Sequence, residues 1–482
     1  MSKLVNVFNY YDNNKEKIAH SLWFILLCSV GPLIGWYFNS NYISYLSLSV
    51  TTILILILSY DVRLLLVPLP FAMTCFRELF YFDNVPYELI AFVVVYVLAI
   101  VIMMVKHFKK NKMIHFKTNL ISKSLLILAI IAFLSAVVRH IFYNEPASFD
   151  TTNGIVSYPE SYNIMYGYLG GLLLFGLFFL SSIITTFKID GYDHMFENSM
   201  YSFGLFIFIQ FGISGIQNNF DMTSIFYGAN GIGWCDKNTF AIAAQITLPF
   251  IAYIFSKNYK RIDAFLLLSL LSLIILGSNS RSAQLTMIVT LFFVLYILVK
   301  PTKKVWRNYF IIVGAAAASF ILAYFFIPSL QESINRLFNS IFNGNSFSEI
   351  ITGRDVFWKW IVDYTYKTPS HILFGGSTSY LFELYKAFYP TSQELGVWLC
   401  HNTFMTALAL GGTLGLIAIT YHLFEAFGST LKRLGDRKIV VFTLLLFGFI
   451  HGLGDNTFFN VVFMIPYIFI LSSYEKKFNE LL

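Results

Sequence analysis

The sequence is poor in charge. Only 12% of its 482 residues are Asp, Glu, Lys or Arg, about half the share of a soluble domain, so most of its surface faces something other than water. Its cysteines, Cys28, Cys75, Cys235 and Cys400, make no Cys-x-x-Cys pair. That argues against a metal site or a disulfide framework and reads them as apolar filler. No HExxH, P-loop, GxSxG or DxD-like signature stands on any loop, and the missing DxD weakens a metal-dependent reaction on a nucleotide sugar. Internal repeats and low-complexity segments are lacking. So is a small-residue cleavage pattern after the first apolar run, which is therefore expected to be a retained helix. The net charge of +7 does not point to nucleic acid, because the basic residues are confined to short loops.

What remains is apolar. Hydrophobic residues make up 57% of the chain, in runs of about 15 to 24 residues, most of them long enough for a hydrocarbon core of about 30 Å. Clear examples are Ile43–Tyr60, Tyr87–Val105, Leu120–Phe142, Ile164–Phe187, Ser199–Ile216, Thr239–Ser256, Asp263–Gly277 and Ala283–Val299. The pattern predicts an all-α polytopic membrane protein of about twelve to fourteen transmembrane helices. A membrane barrel would instead alternate over segments of about ten residues. The weak places are Leu64–Phe80, interrupted by Pro68 and Pro70, and the short pair Ile439–Gly452 and Thr457–Ser473. That pair reads as two tilted helices or as one re-entrant hairpin.

Lys and Arg resist translocation and mark cytoplasmic loops. With both termini inside, the clusters Lys106–Lys117, Lys257–Arg261, Lys300–Arg307 and Lys432–Lys438 all fall on the cytoplasmic side. The chain then divides into N-terminal helices (1–230), helices carrying a Ser-Arg-Ser turn (231–327), a long loop (328–402) and C-terminal helices (403–482). That loop is predicted to form a partly helical extracytoplasmic cap. Connections of this length, roughly 75 residues, are uncommon without a function.

Three stretches meet the outer side of this threading: Ser280-Arg281-Ser282, Gly353-Arg354-Asp355 and His401-Asn402. Arg281 is either a helix-end residue snorkelling to the interface or the partner of an anion. Arg354 either pairs with Asp355 or offers its planar fork of donors to a phosphate. His401 precedes Asn402, a good N-cap. It either helps to cap the helix or, beside the positive end of a macrodipole that disfavours imidazolium, serves as a general base. Supporting candidates on the same side are Asn402, Arg139, Asn238 and Asp455, the last read more readily as structural. Arg77-Glu78 reads as a local ion pair, and Gly411, Gly412 and Gly415 as positions of close helix packing.

These stretches resemble the O-antigen ligase/polymerase superfamily of bacterial membrane glycosyltransferases. The resemblance lies in Leu276–Ala283, Thr352-Gly353-Arg354 through Trp358 to Gly375-Gly376, and His401-Asn402-Thr403-Phe404 with the Gly411–Gly415 segment. Gly233–Asn238 is a looser match, and the likeness covers roughly Gly231 to Ile470. It implies an enzyme of the bacterial inner membrane with its active site facing the periplasm, needing neither metal nor cofactor. Its donor would be an undecaprenyl-diphosphate-linked oligosaccharide, and its acceptor another lipid-linked glycan (a polymerase) or lipid A–core (a ligase). A chain-length regulator is a possible partner. In such an enzyme Arg281 and Arg354 would hold the diphosphate and His401 would activate the acceptor hydroxyl. The turn reads Ser-Arg-Ser where many ligases have Ser-Arg-Gly, and Cys400 precedes the histidine, so the polymerase is favoured. A lipid-linked oligosaccharide transporter is the reading from another class. It would show paired repeats of spans and charges near the membrane midplane, and the sequence shows neither.

Overall fold

The computed structural model describes residues 14–75, 86–111, 117–142, 148–151, 154–157, 163–189, 191–227, 232, 237–278, 280–342, 354–388, 400–433 and 437–474. The fold is an all-α bundle. In lipid every backbone N–H and C=O must be satisfied within the segment, which leaves apolar chain of this length little choice but helix. Among the described residues nine helices are long and apolar enough to cross a membrane. They are Asn41–Leu58, Tyr87–Lys109, Leu120–Phe142, Tyr166–Phe187, His194–Gln217, Lys237–Lys257, Arg281–Val299, Val305–Phe326 and Thr403–Lys432. Five more apolar stretches are shorter: Leu22–Tyr37, Val62–Thr74, Ile262–Gly277, Lys438–Gly452 and Val461–Tyr474. The upper end of the expected span count is reached only if all five also cross.

Proline explains the first weak place. A 3-10 turn, Val62–Leu66, precedes a short helix, Pro68–Thr74, with proline at its N-terminal position, where the missing N–H costs nothing. Arg77 and Glu78 lie outside the described residues. The second weak place is two helices, Lys438–Gly452 and Val461–Tyr474, joined by a turn and a 3-10 segment at Thr457–Phe459. The loop after Leu120–Phe142 contains a small antiparallel hairpin, Ser148–Thr151 with Gly154–Ser157. Cys28, Cys75 and Cys400 are buried and free; Cys235 lies outside the described residues.

The described residues of the long loop form four helices: Pro328–Phe342, Arg354–Thr365, Pro369–Phe374 and Ser377–Phe388. It is fastened to the Thr403–Arg433 helix by an interlock of backbone. That helix breaks at Gly411 and Gly412, where Gly412 adopts φ +60°, ψ −150°. Gly375 takes the matching φ +65°, ψ −151°. A Cβ on Gly412 would lie 2.6 Å from the Gly375 nitrogen. Gly376 N–H donates to the Ala409 carbonyl at 2.8 Å, so the break in the helix is filled by the cap. A second buried polar set ties distant helices together elsewhere. Arg63 pairs with Asp61 and Asp193, each at 2.8 Å, and Arg437 pairs with Glu197 at 2.7 Å.

Candidate functional site

The Arg281–Val299 helix begins in a turn built from serines. Ser280 is its N-cap, accepting from the Ala283 N–H, and its hydroxyl donates to Asn238 Oδ1 at 2.6 Å. Asn238 sits inside the first turn of the Lys237–Lys257 helix and braces the arginine turn. Gln245 Nε2 adds a bond to the Ala283 carbonyl at 2.7 Å. Arg281 therefore leaves a rigid helix end, half-buried.

Arg354 opens its helix and donates from Nη1 to the Gly454 carbonyl, not to Asp355. One turn along, Trp358 Nε1 donates to the Cys400 carbonyl at 2.8 Å, which binds this helix to the residue before His401. His401 itself has φ +46°, a left-handed conformation that histidine tolerates better than most residues. Asn402 is the cap: its Oδ1 accepts from the Phe404 and Met405 N–H groups at 2.9 and 3.0 Å.

The turn after the Lys438–Gly452 helix is stitched to this helix start. Asn402 Nδ2 donates to the Leu453 carbonyl at 2.8 Å, and Asn402 N–H to Asn456 Oδ1 at 2.9 Å. Thr406 Oγ1 donates to the same Asn456 oxygen at 2.8 Å. Gly452 is required there, since a Cβ would meet Thr403 Oγ1 at 2.7 Å. The result sets Asp455 Oδ1 3.5 Å from His401 Nδ1, an ion-pair distance longer than a good hydrogen bond. The carboxylate is steadied by the Asn456 N–H at 2.8 Å. Burial pushes the Asp455 carboxyl up, but His401, His451 and Arg354 together hold it down at about 2. Burial pulls the Arg354 guanidinium below its ordinary value; Asp455 offsets this and the nearby Arg281 charge adds to it.

Arg354, His401, Asn402 and Asp455 thus meet at one turn, while Asn238 braces the turn that carries Arg281, whose charge is felt by Arg354. Arg139 does not join it. Its guanidinium donates to Glu383 Oε1 at 2.6 Å and to the Gly376 carbonyl at 2.7 Å, so its charge is neutralised under the cap and cannot supplement the other arginines. Sequence reasoning missed His451, Asn456 and Thr457, all buried. His451 Nδ1 lies 2.7 Å from Thr457 Oγ1, and its Nε2 3.4 Å from Ser282 Oγ. The signal was present as a polar, glycine-containing run between two short apolar helices, but nothing in it named its partners. Among the described residues no group of three His, Cys, Asp or Glu side chains could hold a metal ion.

Residues 265–420 match the family model described as O-antigen ligase. That segment, less than half of the chain, is similar to O-antigen ligases. The matched segment includes Arg281, Arg354, His401 and Asn402 and stops short of the turn that holds Asp455. No curated protein matches the chain. The family implies a multi-pass membrane enzyme of glycosyltransferase or ligase type working on lipid-linked glycans.

Proposed function

We propose that the protein transfers a glycan from undecaprenyl diphosphate to a sugar hydroxyl on the outer face of the cytoplasmic membrane, polymerising repeat units of a surface polysaccharide without a metal ion. The observation that carries this reading is the convergence of two arginines and a histidine–carboxylate pair from four chain-distant segments. His401, with Nδ1 turned to Asp455, keeps Nε2 for the acceptor. It takes the hydroxyl proton as the oxygen attacks the anomeric carbon, and Asp455 stabilises the imidazolium that forms. The glycosidic C–O bond breaks on the opposite face, which inverts the anomeric centre, and its electron pair leaves with the diphosphate. Arg281 and Arg354 face that growing negative charge; fixed donors of this kind contribute about 3 kcal/mol each in other enzymes. The half-buried guanidiniums and the 30% exposed His401 side chain leave both groups reachable.

His401→Ala tests the reading. Long-chain glycan is expected to vanish at unchanged protein level in the membrane; chain lengths like those of the wild type would refute it. The description of the matching family favours a second reading, ligation of finished glycan to lipid A–core. Lipid profiles separate the two. Loss of a ligase leaves long polymer on undecaprenyl diphosphate, whereas loss of a polymerase leaves single repeats on the final acceptor.

A further inference from the structure

Three polar groups beside the arginines have no part in the mechanism above: Ser282, His451 and Thr457. Ser282 follows Arg281 directly and is half-buried. His451 is fully buried and bridges Ser282 Oγ, at 3.4 Å, to Thr457 Oγ1, at 2.7 Å. Gly454 separates Ser282 from Arg354: a Cβ there would lie 3.3 Å from Ser282 Cβ and 3.9 Å from Arg354 Nη1. Ser282 and the Arg354 guanidinium therefore flank the same glycine, and Arg281 is the residue before Ser282. Ser280 Oγ lies 3.4 Å from Ser282 Oγ and gives its own proton to Asn238 Oδ1 at 2.6 Å, so across that pair Ser282 is the donor, through a contact too long to hold its proton against a charged phosphate oxygen.

We propose that His451 is a positioning residue for an anion subsite in which the Ser282 hydroxyl is a third donor to the diphosphate. Thr457 donates its proton to His451 Nδ1, which leaves the ring proton on Nε2. Nε2–H then donates to Ser282 Oγ, and the Ser282 proton turns outward to a phosphate oxygen between Arg281 and Arg354. The opposite tautomer would draw the Ser282 proton inward and leave the anion one donor short. A buried neutral imidazole suits this task, because it orders a hydroxyl without bringing a further charge of its own beside two arginines. The inference rests on the diphosphate reading of the arginines.

The test measures binding of undecaprenyl diphosphate to the full chain in detergent, alongside thermal unfolding. Ser282→Ala is expected to weaken binding about ten- to hundred-fold, the loss of one hydrogen bond to a charged group, with unfolding unchanged. His451→Asn removes the Nε2 donor and is expected to weaken binding by a similar factor. The double variant should lose little more than either single one, because both changes remove the same outward proton. His451→Gln keeps a donor at the Nε2 position and should restore most of the affinity. Wild-type binding by Ser282→Ala, or full additivity of the two losses, would overturn the inference even if His451→Asn fails to fold. Arg281→Ala separates the two levels. If it too binds as the wild type, the diphosphate reading falls; if it weakens binding while Ser282→Ala does not, only the third donor falls.

Discussion

Replacing Gly412 by alanine strikes the joint between the cap and the helix that begins beside His401. At φ +60°, ψ −150° the backbone is in a region that is essentially confined to glycine, and forcing another residue there costs about 1 to 3 kcal/mol. Sterics add to this. The new Cβ would stand 2.6 Å from the Gly375 nitrogen and from the Leu373 carbonyl, backbone atoms that move only if the cap moves, at a further cost of about 1 to 3 kcal/mol. The sum is a large part of the stability of an ordinary domain, about 5 to 15 kcal/mol. Gly411→Ala is the control. Its Cβ would meet only the Ile131 side chain, at 2.7 Å from the Cγ2 methyl, a group that can shift more easily than backbone, and its φ of −141° is negative, so the left-handed penalty is absent. The thermal unfolding temperature of the purified protein should fall steeply for Gly412→Ala and slightly for Gly411→Ala, and on the proposed function glycan transfer should fall in the same order. Equal effects would refute the interlock as the element that fixes the cap.

Asp455→Asn tests the histidine–carboxylate pair. The carboxyl is held at about 2 against an ordinary 3.8, so its contribution is present above the ordinary value and is lost as pH falls through about 2. The variant should be less stable at pH 7 by on the order of 2 kcal/mol, with the gap closing between pH 4 and pH 2; a gap independent of pH in unfolding scans would contradict this origin. Arg139→Met takes the guanidinium away from the buried Glu383 carboxylate and should cost about 3 to 5 kcal/mol. Changing Glu383 to Leu in the same chain should recover most of that stability, and a double variant weaker than Arg139→Met alone would show that the pair is not the reason Arg139 is buried.

By itself the sequence determined the class of fold, because hydropathy is a local property: a run such as Leu120–Phe142 must be helical in lipid wherever it packs. It also marked Arg281, Arg354 and His401, since rare polar residues at helix starts stand out against apolar chain. The basic clusters led to the expectation that those starts share one side. Tertiary structure alone decided which groups meet. Arg139 and Asp455 were both supporting candidates, Asp455 read more readily as structural, yet Arg139 is neutralised by Glu383 under the cap while Asp455 faces His401. His451 became a neighbour of Ser282 only because the Lys438–Gly452 helix packs on Arg281–Val299. These partners lie tens to hundreds of residues apart in the chain. Composition and spacing carry no term for such distances; the packing of helices across the bundle supplies it.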